Sequence, residues 1–129
     1  MLVDASALVA ILLREPEADS LLERLDSASR RATHPISLYE AASAISRVKG
    51  CSIADGYGEV SDFVAAAGLE VATIQVPETI AALEAVSRYG KGRHPAKLNL
   101  GDCFSYAVAK LRGMPLLYKG EDFAHTDLA

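Results

Sequence analysis

Between Leu98 and Phe123 the chain reads LNLGDCFSYAVAKLRGMPLLYKGEDF, which sets out a helix, its stop, a strand and a turn in immediate succession. Asn99 is a good N-cap, Gly101 and Asp102 open the first turn, and Cys103, Phe104, Ala107, Val108 and Leu111 recur at helical spacing as one apolar face. Gly113 and Pro115 stop that helix. Leu116-Leu117-Tyr118 is short enough for a buried strand, and Gly120-Glu121-Asp122 follows at a turn. If the strand lies in a parallel sheet, Asp102 and Asp122 emerge at the same edge, where strands end and helices begin.

The remainder of the chain has the matching parts. Met1-Leu2-Val3 reads as a strand ending at Asp4, and the apolar run Ala5 to Leu13 as the helix after it. Pro16 suits the first turn of a second helix whose buried stripe is Ala18, Leu21, Leu22 and Leu25. Arg31 to Pro35 is a connection or short strand. Ser37 and Glu40 then have the spacing of a capping box for a third helix, with Leu38, Ala41, Ala42, Ile45 and Val48 facing inward until Gly50. Ser52 caps a fourth helix with Tyr57, Val60, Phe63, Val64 and Ala67 inward and Gly68 as its stop. Leu69 to Val76 holds a strand-length run, and Pro77 begins a fifth helix with Ile80, Leu83, Val86 and Tyr89 inward. Strands alternating with helices, about four and six, predict a three-layer α/β sandwich with a short, mainly parallel sheet of four or five strands.

A chain of 129 residues, half of them hydrophobic, forms one domain, 1–129, with a real core. No run approaches the roughly 18 apolar residues of a membrane span, and acidic Asp4 with no basic lead-in does not suit a signal peptide, so a cytoplasmic protein is expected. Cys51 and Cys103 are too few for a disulfide framework and are expected to be reduced structural thiols. With 17 acidic against 13 basic residues, the net charge of −4 argues against broad wrapping of nucleic acid.

Four acids share a topological position: Asp4 ends the first strand, Glu40 and Asp102 stand in the first turns of helices three and six, and Asp122 follows the last strand. Glu40 and Asp102 have a purely structural use as helix N-terminal charges, contributing roughly 0.3–1 kcal/mol each. Asp4, between two apolar runs, needs a cation or hydrogen-bond donors. Carboxylates gathered at one edge repel unless something positive sits among them, and hard oxygen ligands select Mg²⁺ or Mn²⁺. That combination suits phosphoryl chemistry.

Asp4 in V-D-A-S, Glu40 in S-L-Y-E, Asp102 in L-N-L-G-D-C and the terminal L-L-Y-K-G-E-D-F together resemble the PIN-domain ribonucleases, specifically the VapC-type toxins of toxin–antitoxin pairs. The likeness covers essentially the whole chain. It implies a PIN-like fold and a metal-dependent RNA endonuclease, usually dimeric, inhibited by a partner antitoxin. It also implies Asp4, Glu40 and Asp102 as the core acids, with Asp4 and Asp102 holding Mg²⁺ or Mn²⁺, Asp122 or adjacent Glu121 as the fourth, and Ser6 as the small hydroxyl near the site. Ser6 has a second use as an N-cap of the first helix. Lys91, Arg93 and Lys97, just before Asp102, and Arg47, two turns beyond Glu40, are candidate RNA-phosphate contacts. Lys119 is another. His34, His94 and His125 are expected on loops or the surface. A metal-dependent phosphatase and a non-catalytic interaction domain remain alternatives at this point, the former without a D-x-D motif to encourage it.

Overall fold

The computed structural model of the chain describes residues 1–92 and 94–129. Its sheet has four parallel strands in the order β3-β2-β1-β4, and each is only two residues long: β1 Leu2–Val3, β2 Ala32–Thr33, β3 Glu70–Val71 and β4 Leu116–Leu117. Leu2 pairs with Ala32 on one side and Leu116 on the other, and bonds such as Asp4 N–H to the Leu117 carbonyl (2.9 Å) extend the ladder one residue past the strand ends. Parallel strands need crossovers. These are α1 (Ala5–Leu12) and α2 (Ala18–Asp26) between β1 and β2, then α3 (Pro35–Lys49) and α4 (Ile53–Ala66), and finally α5 (Val76–Tyr89) and α6 (Leu100–Arg112) before β4.

Successive strand residues point to opposite faces, and the two cores follow from that. Leu2, Ala32 and Leu116 pack with Ala82, Ala85 and Tyr89 of α5 and with Cys103, Tyr106 and Ala107 of α6, joined by Leu98 and Phe123 from the flanking loops. Val3 and Leu117 pack with α1 to α4 through Leu8, Ile11, Leu21, Leu25, Ile45 and Val60. The result is the expected three-layer sandwich, with each fully buried Leu, Ile or Val contributing about 1.5–3 kcal/mol. Because the strands are parallel, the residues after β1, β2 and β4, namely Asp4, His34 and Tyr118, leave the sheet at one edge.

Several local expectations need correction. The third helix begins at Pro35, whose fixed φ and missing N–H suit its first position, and His34 caps it by accepting from Ser37 N–H; Ser37 and Glu40 form no capping box, and Glu40 lies in the second turn. Pro16 precedes α2 without belonging to it. Val48, Tyr57 and Leu111 are exposed. On α5 Tyr89 is buried as expected, but the rest of the inward face is Ala82 and Ala85, whereas Ile80, Leu83 and Val86, expected inward, are exposed. Both stripes have helical period, so spacing does not choose between them. The alanines win because their small side chains let α5 lie close against α6.

Candidate active site

Asp4 sits where the central strand turns into α1, and it is both buried and the N-cap of that helix. Its Oδ2 accepts from the Ser6 N–H (3.0 Å) and the Ser6 hydroxyl (2.7 Å). Its Oδ1 accepts from the Ser105 hydroxyl on α6. The Ser6 oxygen in turn accepts from the Lys119 N–H just beyond β4, at 3.0 Å. Residues from β1, α1, α6 and the end of β4 therefore converge on one carboxylate. Ser6 serves it by orienting Asp4, and the capping role belongs to Asp4 itself.

The second acid comes from the start of α6. Asn99 and Asp102 form a reciprocal capping box: Asp102 N–H donates to Asn99 Oδ1 (2.9 Å) and Asn99 N–H to Asp102 Oδ2 (3.1 Å). Burial pushes the Asp102 carboxyl from its ordinary 3.8 to about 7; the Asn99 bond opposes this, and the charges of Asp4 and Asp122 add to it. Glu40 is also raised, first by burial and then by Asp4. Its carboxylate lies against the backbone of Gly101, where a Cβ would fall 1.9 Å from Oε1. The absence of a side chain at 101 leaves the space that the Glu40 carboxylate occupies against the N-terminus of α6. Asp122 is exposed, on the turn after β4, and its side chain approaches Asp102. Glu121 is exposed on the same turn and has no such partner among the described residues.

Beside the acids opens a cleft of about 500 Å³, lined by Ser6, Glu15, Tyr39, Glu40, Ser43, Arg47 and Lys119 among others. Arg47 thus shares a cleft wall with Glu40. The Lys119 ammonium is already paired with Glu15 and, at 3.3 Å, with Glu17. Lys91 lines a separate, apolar groove of about 370 Å³ between α5 and α6, and Lys97 is exposed at the end of its loop. Arg93 lies outside the described residues.

Histidine expectations fare unequally. His125 is exposed as expected, but His34 is completely buried, and burial lowers its pKa to about 4 against the opposing pull of Asp4. His34 and Ser105 were both missed by sequence reasoning, and the only available signal was the mid-helix position of Ser105 two residues from an apolar cysteine. Cys103 itself is raised to about 11 by burial and by Asp102, which leaves it an inert thiol.

A divalent cation fits the chemistry of these donors. The charge of Asp4 acts on Glu40 and those of Asp4 and Asp122 on Asp102, no cationic side chain is hydrogen-bonded to any of the four among the described residues, and all are hard oxygens. Among those residues no three His, Cys, Asp or Glu side chains stand close enough to ligate one ion together. Mg²⁺ does not require three, since it takes one or two carboxylates and completes its shell with water and substrate phosphate.

A family model for the PIN domain matches residues 1–128. Ribonuclease VapC30 of Mycobacterium tuberculosis (strain ATCC 25618 / H37Rv) is 41 % identical over 129 residues, covering 100 % of this chain and 96 % of that one. A ribonuclease VapC of Mycolicibacterium smegmatis is 43 % identical, covering 100 % and 98 %. Among solved structures, M. tuberculosis VapC20, described as a sarcin-ricin-loop-cleaving toxin, superposes with a TM-score of 0.73 at 16 % identity over 95 % of this chain and 92 % of that one. A toxin–antitoxin complex from Klebsiella pneumoniae superposes at 0.71 with 20 % identity, covering 98 % and 92 %. At those identities the structural likeness speaks to the fold alone.

Proposed function

This chain belongs to the PIN domain family and, at 41–43 % identity over its whole length, stands among relatives named as VapC ribonucleases; from that premise we propose that it is a metal-dependent endoribonuclease, the toxin of a toxin–antitoxin pair. The observation that carries the reading is the convergence of Asp4, Glu40, Asp102 and Asp122 at one sheet edge, with Asp102 raised to about 7 by burial and by its acidic neighbours. Such a cluster favours a cation.

Asp4 and Asp102 would hold Mg²⁺ or Mn²⁺, and Ser6 and Ser105 fix the direction of Asp4. The bound cation supplies Lewis acidity toward water and phosphate oxygens. Water would attack phosphorus in line, a P–O bond forming as the P–O bond to the leaving ribose oxygen breaks, while a proton passes from the water to a carboxylate or solvent and the leaving oxygen takes one from solvent to become the hydroxyl. Glu40 lines the cleft, which Asp4, Asp102 and Asp122 do not, and so is the carboxylate placed to take that proton. Asp122, opposite Asp102, is the fourth acid. Arg47 in the cleft wall would hold an RNA phosphate, with Lys91 and Lys97 further contacts at the loop before α6.

An acidic cleft also attracts a guanidinium, so a cognate antitoxin carrying arginine would inhibit by bidentate pairing there. Exposed Tyr39, Val48, Ile53 and Tyr57 on α3 and α4, and Val76, Ile80 and Leu83 on α5, offer apolar area for the antitoxin or a second copy. No helix among the described residues is long and apolar enough to cross a membrane, and a cytoplasmic site of action agrees with an RNA substrate.

The test is cleavage of total RNA by purified protein with Mg²⁺ or Mn²⁺. Activity should vanish with EDTA and in Asp4→Asn. An Asp4→Asn protein that cuts as well as wild type would overturn the assignment.

A further inference from the structure

His34 and Ser105 are joined in the interior although they lie 71 residues apart. The direction of each hydrogen bond follows from what each atom is able to do. A carboxylate oxygen only accepts, so the single proton of the Ser105 hydroxyl is committed to Asp4 Oδ1. Ser105 Oγ must then accept from its other close partner, His34 Nε2 at 2.8 Å, which requires a proton on Nε2. The second ring nitrogen faces a donor, because Ser37 N–H points at His34 Nδ1 at 3.3 Å, so Nδ1 carries none. The opposite tautomer would set two lone pairs against each other at Ser105 and two protons at Ser37. Ser37 Oγ, 3.0 Å from Nε2, shares the same ring proton.

From this geometry we infer that His34 is a positioning residue for Asp4, acting through Ser105 as a neutral imidazole that donates from Nε2. The chain His34 Nε2–H to Ser105 O–H to Asp4 Oδ1 has a counterpart on the other oxygen, where Lys119 N–H donates to Ser6 and the Ser6 hydroxyl to Oδ2. In each chain a nitrogen donor occupies the hydroxyl's lone pair and so turns its proton toward Asp4. The two sides differ in capacity. Among the described residues Oδ2 accepts two bonds, from Ser6 N–H and Ser6 O–H, whereas Oδ1 accepts one. Oδ1 therefore keeps the free lone pair with which Asp4 meets a cation, and the Ser105–His34 chain sets its direction. Two observations separate this from a histidine merely filling space. Every polar ring atom is spent on a partner, and the far end of the chain is the carboxylate on which the proposed function rests.

The experiment measures Mn²⁺ binding to RNA-free full-length protein by electron paramagnetic resonance, together with ¹⁵N chemical shifts of the His34 ring. Ser105→Ala and His34→Leu are each expected to weaken Mn²⁺ binding roughly 10- to 100-fold, as loss of an outer partner of a ligand does. The double variant should be no weaker than either single one, because both cut the same chain. His34→Gln, which keeps an N–H donor, should stay within about threefold of wild type. A folded His34→Leu that binds Mn²⁺ like wild type, or single effects that multiply in the double variant, would overturn the inference. The ring shifts decide it even where His34→Leu does not fold: wild type should show a neutral imidazole protonated at Nε2, and protonation at Nδ1 refutes the chain. Wild type that binds no Mn²⁺ at all would instead refute the metal site of the proposed function, and the tautomer would still be read.

Discussion

Replacing Asp102 by Asn should make the metal-free protein more stable and the enzyme inactive, and the gain in stability should depend on pH. The amide keeps an oxygen to accept the Asn99 N–H, which lies 3.1 Å from the carboxylate, so the helix cap survives the change. What disappears is the charge. A carboxyl raised from 3.8 to about 7 is favoured in its protonated form by the folded state, at about 1.4 kcal/mol per pKa unit. The full shift corresponds to about 4 kcal/mol, and solvent reaching the cleft edge reduces this to ~2 kcal/mol. Between about pH 4 and pH 7 the folded protein binds the extra proton, so wild-type stability falls as pH rises through that window, and the loss is complete above about 7. The Asn variant has no such loss. At pH 8 in EDTA its melting temperature should exceed that of wild type by roughly 6–10 °C, taking 3–5 °C per kcal/mol for a domain of this size, and near pH 4 the two should melt together. Mg²⁺ should raise the melting temperature of wild type and leave the variant unmoved. A variant that melts below wild type at pH 8, or whose advantage is the same at both pH values, would refute the electrostatic account.

Gly101→Ala would place its Cβ 1.9 Å from Glu40 Oε1; since a flexible carboxylate can swing away, melting should change by less than about 1 kcal/mol, while RNA cleavage falls roughly 10- to 100-fold through displacement of Glu40. Gly56→Ala meets the Ala42 carbonyl oxygen at 2.6 Å, a backbone atom of α3 that cannot yield without spreading α3 from α4, so urea titration should show a loss of ~1–3 kcal/mol. Asp127 accepts from Tyr106 OH and Lys110 Nζ, each at 2.6 Å, and these bonds, the lysine's first, hold its pKa at about 2. Being depressed, it stabilises the fold above about pH 4 and ceases to as pH falls through about 2. Asp127→Ala should therefore cost about 1 kcal/mol at pH 7 after allowance for its solvent exposure, and only a small part of that near pH 2, as read by chemical denaturation at the two pH values.

Much of this protein was legible along the chain because its signals act over a turn or less. Asn99 with Asp102, Ser52 before α4 and Gly50, Gly68 and Gly113 at positive φ each meet their partners within about four residues. Such local chemistry is sufficient to mark strand and helix ends, and hence the edge at which acids following strands emerge. The motifs around Asp4, Glu40 and Asp102 likewise pointed to the family before any coordinates. Tertiary structure alone decided the rest. It chose the alanine face of α5 over an equally periodic face of larger residues, because only close approach to α6 distinguishes them. It made His34 a buried cap where the sequence suggested a loop, and it brought Ser105 across 101 residues to Asp4. Contacts of that separation depend on the register of four two-residue strands, a quantity set by the packing of both helical layers at once and encoded in no single stretch of chain.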